Sequence, residues 1–66
     1  MVEVFKTNVR TKKQALKVAS LLRPMKANFD LEDCDKILRV EDEQINPEAV
    51  VQFVTAQGFV CALLDD

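Results

Sequence analysis

Thr7-Asn8-Val9-Arg10-Thr11-Lys12-Lys13-Gln14-Ala15 joins an extended run to a helix. Thr11 followed three residues later by Gln14 is a capping box. The hydroxyl accepts from the Gln14 N–H, and the side-chain amide reaches back to the Thr11 N–H. Ala15, Val18, Ala19 and Leu22 then recur at helical spacing and define one apolar face. The helix is expected from Thr11 to about Arg23, because Pro24 disfavours helical geometry in the residue before it. Upstream, Val2 to Val9 is rich in β-formers and long enough for one strand, although adjacent Val4 and Phe5 leave its faces unassigned.

Downstream, Ala27-Asn28-Phe29-Asp30-Leu31 predicts a second strand, with Phe29 and Leu31 alternating with polar neighbours. Glu32-Asp33-Cys34-Asp35-Lys36 follows as a polar turn and Ile37-Leu38-Arg39-Val40 as a third strand, so the two strands form a hairpin. Asn46-Pro47-Glu48 announces a second helix: Asn as N-cap, Pro in the first helical position, Glu against the positive end of the dipole. Val50, Phe53 and Val54 supply its apolar stripe, and Gly58, the single glycine, falls where a left-handed C-terminal cap is wanted. Phe59 to Leu64 closes the order as a fourth strand. The order βαββαβ, with right-handed crossovers, places strands 1 and 3 in the middle of a four-stranded antiparallel sheet. Both helices then lie on one face. This is an α+β, ferredoxin-like sandwich.

The 66 residues are 48% hydrophobic and 30% charged, a globular composition and a length for one domain over residues 1–66. A domain of that size buries only about 60% of the surface its unfolded chain exposes, so its core is thin. No apolar run nears the ~20 residues of a membrane span. Met1-Val2-Glu3-Val4-Phe5-Lys6 lacks the apolar segment of a secretory signal, so the expected setting is cytoplasmic, without a membrane partner. Cys34 and Cys61 are expected there as thiols. The chain has no His, Trp or Tyr, and Ser20 is its single serine. Ser-His and Cys-His nucleophilic catalysis is excluded for want of an imidazole base, and no enzymatic role is expected.

Net charge is −2, unevenly distributed. Residues 1–26 hold seven Lys/Arg against Glu3 alone, a balance of +6; residues 27–66 hold Lys36 and Arg39 against ten Asp/Glu, a balance of −8. Two outcomes are open: neutralisation across the folded domain, or two oppositely charged faces that steer partners.

Lys6-Thr7-Asn8-Val9-Arg10-Thr11-Lys12-Lys13-Gln14-Ala15, Phe29-Asp30-Leu31, Asp35-Lys36-Ile37-Leu38-Arg39-Val40-Glu41, Pro47-Glu48-Ala49-Val50 and Gly58-Phe59, in this order and spacing, resemble the heavy-metal-associated domains. These are the small copper chaperones and the metal-binding domains of copper and zinc pumps. The resemblance implies metal capture by Cys-x-x-Cys at the junction of first loop and helix, where paired thiolates hold a soft ion. In this chain Thr11 and Gln14 occupy those positions, with Val9 where a buried residue precedes them. A hydroxyl and a carboxamide supply no thiolate, so the motif is degenerate and no metal or other cofactor is expected there.

The resemblance also implies that the first loop and helix dock partners, with lysines meeting an acidic protein. Arg10, Thr11, Lys12, Lys13, Gln14 and Lys17 are therefore the candidate residues for docking an acidic protein partner or, alternatively, for binding an anion at the helix N-terminus. A second alternative is metal binding through a rebuilt site in which Cys34 joins Asp33 or Asp35; Cys61 is expected in the core. Nucleic acid is not expected, since strand 3 offers no aromatic residue for base stacking and the net charge is negative. An acylphosphatase-like site would need more than Arg10 in the first loop. The chain is expected as a monomer or as a weak homodimer formed through an edge strand.

Overall fold

The computed structural model describes residues 1–32 and 36–64. Its elements are β1 (Val2–Thr7), α1 (Lys12–Leu21), β2 (Lys26–Asp30), β3 (Ile37–Glu41), α2 (Pro47–Ala56) and β4 (Cys61–Leu63). The four strands form one antiparallel sheet in the order β2-β3-β1-β4, so β1 and β3 are central as the connectivity requires. The ferredoxin-like α+β arrangement is thus present.

The register explains the adjacent apolar residues that leave the strand faces ambiguous in sequence. Phe5 lies opposite Leu38 and Leu63, and Leu38 opposite Phe29, so these side chains share one face. Phe5, Leu38 and Val40 are fully buried there against Val18 and Leu22 of the α1 region and Val50 and Val54 of α2. Burying one large aliphatic or aromatic side chain contributes about 1.5–3 kcal/mol, so these few residues carry much of a thin core. The opposite face carries Val4 and Ile37 among Lys6, Arg39 and Glu41. That face is apolar enough to blur the period-two pattern.

Several element boundaries depart from the sequence reading, where backbone donors find partners outside the ladder. β1 stops at Thr7 rather than Val9, because the Val9 N–H donates to Thr7 Oγ1 at 3.2 Å and leaves the ladder. β4 begins at Cys61 rather than Phe59. The Phe59 N–H is held by the Val54 carbonyl at 3.4 Å and the Gly58 N–H by the Thr55 carbonyl at 2.9 Å, the paired bonds of a Schellman cap. Gly58 has φ 95°, the left-handed conformation expected of it. α1 ends at Leu21 with Leu22 as its cap, two residues short of Arg23, and β2 runs one residue earlier than expected.

Candidate functional site

Thr11 has φ −113° and ψ 153°, the extended conformation of an N-cap. Its Oγ1 accepts the Gln14 N–H at 3.1 Å. In return Gln14 Oε1 accepts the Thr11 N–H at 3.4 Å and also the Arg10 N–H at 3.2 Å. The capping box of the sequence reading is therefore present, extended by one further donor. The Thr11 and Gln14 side chains are both engaged with the backbone of their own loop.

Three further ties hold this loop. Thr7 is buried, and its Oγ1 donates to the Lys36 carbonyl at 2.6 Å while accepting from Val9. Val9 is fully buried beneath the loop. Asn8 Oδ1 accepts the Val60 N–H at 2.8 Å, across 52 residues of sequence. The end of β1, Lys36 just before β3 and Val60 just before β4 consequently meet at one end of the sheet, as the topology predicts. Lys36 adopts φ 49°, unusual for a residue with a Cβ, and its Nζ donates to the Leu31 carbonyl at 2.9 Å. Thr7, Asn8 and Lys36 are not distinguished by sequence reasoning. Thr7 carries one weak signal, a polar residue in phase with Phe5 on the inward face.

Arg10, Thr11, Lys12, Lys13, Gln14 and Lys17 are all exposed, and the structure gathers them around the start of α1. Lys12 and Lys13 take the first two helical positions, and the first turn holds no acidic residue. The free N–H groups and the positive end of the dipole lie here, so two cations stand where a helix favours anions. Leu16 follows one turn on and is 71% exposed, an apolar residue among Lys12, Lys13 and Lys17 that the sequence reading passes over. The site can present positive potential, the Lys12 and Lys13 N–H groups, which have no partner among the described residues, and one apolar contact.

Among the described residues no group of His, Cys, Asp and Glu is placed to hold a metal ion. Asp33, Cys34 and Asp35, the residues of the alternative metal site, lie outside the described residues. Cys61 is buried as expected, opposite Thr7 in the sheet. Burial disfavours the thiolate and pushes the thiol up to about 11 from 9.0. A thiol in that state is a core side chain, neither nucleophile nor ready ligand.

Comparison with known proteins returns no matching family model, no matching curated protein and no matching solved structure.

Proposed function

We propose that this chain is a protein-interaction module, built like a heavy-metal-associated domain with a degenerate metal motif, that docks an acidic protein through Arg10, Lys12, Lys13 and Lys17. The observation that carries the reading is the start of α1, where Lys12 and Lys13 oppose the helix dipole with no acid in the first turn. An acidic surface laid there meets the dipole, the open N–H groups and the lysines together. Exposed Leu16 adds an apolar contact inside the basic ring. Charged groups of this kind govern on-rate and partner choice more than raw affinity, which suits a transient docking module.

The test is capture of partners from lysate by the native chain and by Lys12→Glu/Lys13→Glu. Loss of a captured acidic protein in the variant is expected; unchanged capture sinks the proposal. Titration with inorganic phosphate separates macromolecular docking from a small-anion site, since an anion site would perturb the amides of Arg10 to Gln14. Anaerobic Cu(I) titration against a competing chelator, with Cys34→Ser beside it, addresses metal. Stoichiometric binding that the variant loses would replace docking with metal handling as the leading function.

A further inference from the structure

β2 is an edge strand, paired with β3 on one side only. Free strand edges invite further pairing and are commonly guarded by charge. Here Lys26 and Asp30 stand at the two ends of the strand Lys26-Ala27-Asn28-Phe29-Asp30. Read backwards, the strand is its own complement: cation against anion, small against large, and Asn28 in the centre. We infer that β2 pairs antiparallel with β2 of a second copy of this chain, centred on Asn28, so that the two four-stranded sheets run on as one.

This register sets Lys26 opposite the partner's Asp30, Ala27 opposite the partner's Phe29 and Asn28 opposite the partner's Asn28. Two-fold symmetry repeats each contact, as an isologous interface must. Centring on Ala27 sets Asp30 opposite the partner's Pro24. Centring on Phe29 sets Asp30 opposite the partner's Asn28 and Lys26 opposite the partner's Glu32, outside the strand. Centring on Asn28 is therefore the register that pairs opposite charges within β2. Exposure along β2 alternates, with Lys26, Asn28 and Asp30 exposed and Ala27 and Phe29 half-buried against the core. On the open face Lys26 already lies opposite Glu41 in its own sheet, so pairing continues an alternation of sign: Glu41, Lys26, the partner's Asp30. On the helix side the apolar row Phe5, Leu38, Phe29 continues into the partner's Ala27.

The groove between α1 and β2 agrees with this occupant. Leu16, Ala19, Ala27, Phe29 and Leu31 line it, an apolar floor left partly open by the missing strand. Its end at Asp30 and Glu32, which Lys12 also lines, faces across the two-fold the basic end at Arg23 and Lys26. The other edge, Cys61-Ala62-Leu63, is shorter and carries no charge to complement. Lys12 and Leu16 of the basic face also line this groove, whereas Lys13 and Lys17 do not, so the two surfaces adjoin along α1. One strand pair lies at the small end of interface sizes, which makes the dimer concentration-dependent.

Sedimentation of the full chain over a range of concentrations tests this. The native protein is expected to shift from monomer to dimer. Asp30→Lys sets lysine against the partner's Lys26 at both ends; in its own sheet the directly opposite residue is Ile37 and Arg39 lies one pair away on the same face, so folding of this variant is checked by circular dichroism too. Association is expected to weaken about tenfold or more. Lys26→Glu should act similarly, with folding checked by circular dichroism because Glu41 lies opposite. An equal mixture of the two variants is expected to recover the dimer, since each introduced charge then faces its opposite. Asp30→Asn preserves shape and an acceptor for the Glu32 N–H, and should weaken association severalfold and reduce its salt dependence. A native chain that stays monomeric at its highest attainable concentration overturns the proposal. So does a dimer indifferent to Asp30→Lys or Asp30→Asn, or a mixture of folded variants that stays monomeric.

Discussion

α1 and α2 are the same length, ten residues each, yet their first turns are completed in opposite ways. At α2, Pro47 brings no N–H, and Asn46 Oδ1 accepts from both Glu48 at 3.1 Å and Ala49 at 3.4 Å. Glu48 adds a negative charge at the positive end of the dipole. That first turn is closed upon itself. At α1, Thr11 serves the third position only, and Lys12 and Lys13 add charge of the wrong sign. The difference teaches where the molecule is finished and where it is not. One helix start serves the fold, and the other keeps donors and positive potential facing outward.

The largest expected effect lies beneath the α1 end and comes from pH. Cys61 is opposite Thr7, and its buried thiol is raised to about 11 from 9.0. Between those values the folded chain keeps a proton that the unfolded chain has released. Stability therefore falls as pH rises through this window, by about 2–3 kcal/mol in full, and the thiol has no effect below it. Urea midpoints measured on both sides of the window should show a steeper loss for the native chain than for Cys61→Ala. Parallel losses would remove the thiol as the cause.

Next come the caps. Asn46→Ala frees two donors and should cost about 1–2 kcal/mol, whereas Thr11→Ala frees one and should cost about 1 kcal/mol. Equal costs in denaturant melts would erase the contrast between the helix starts. Gly58→Ala is expected to cost about 1–2 kcal/mol through backbone strain at positive φ. A Cβ there would meet nothing within 4 Å, so crowding adds no further penalty. Gly58→Asn should recover part of the loss.

The smallest effect on stability is the most informative about the contrast. Lys12→Glu/Lys13→Glu should raise stability by about 0.5–1 kcal/mol at low salt, because both changes favour the dipole. Added salt should shrink the gain. A variant more stable than the native chain that no longer captures a partner would mean that the lysines are kept for binding. A destabilised variant would mean that they serve the fold in some other way.

The parts of the fold legible in sequence are those governed by neighbouring residues. Thr11 with Gln14, Asn46 with Pro47, and Gly58 after α2 each settle a helix end within a few residues, and the structure contains all three. Strand order followed from connectivity. Two kinds of feature were hidden. The faces of β1 and β3 were obscured because Val4 and Ile37 are apolar yet lie on the face away from the helices. The strand ends depended on partners far along the chain: Val60 donates to Asn8, and Thr7 to Lys36. A Thr or an Asn in sequence does not disclose which distant backbone group it will meet. For the candidate site, sequence located the cations of the α1 start but missed Leu16, since a leucine in an amphipathic helix is normally assigned to the core.

The Asn8–Val60 bond has a consequence for the order of assembly. β1 is written first, yet both of its neighbours in the sheet, β3 and β4, come later. The loop leading into α1 is held by a residue near the far end of the described chain. Closing so long a loop is entropically expensive and belongs to the late stages of folding. Until β4 docks, α1 can form its own capping box, but the loop before it lacks the Asn8 anchor. The basic surface thus acquires its final orientation only when the rest of the sheet is in place, so a nascent or partly folded chain holds the same lysines on a loop that is not yet fixed.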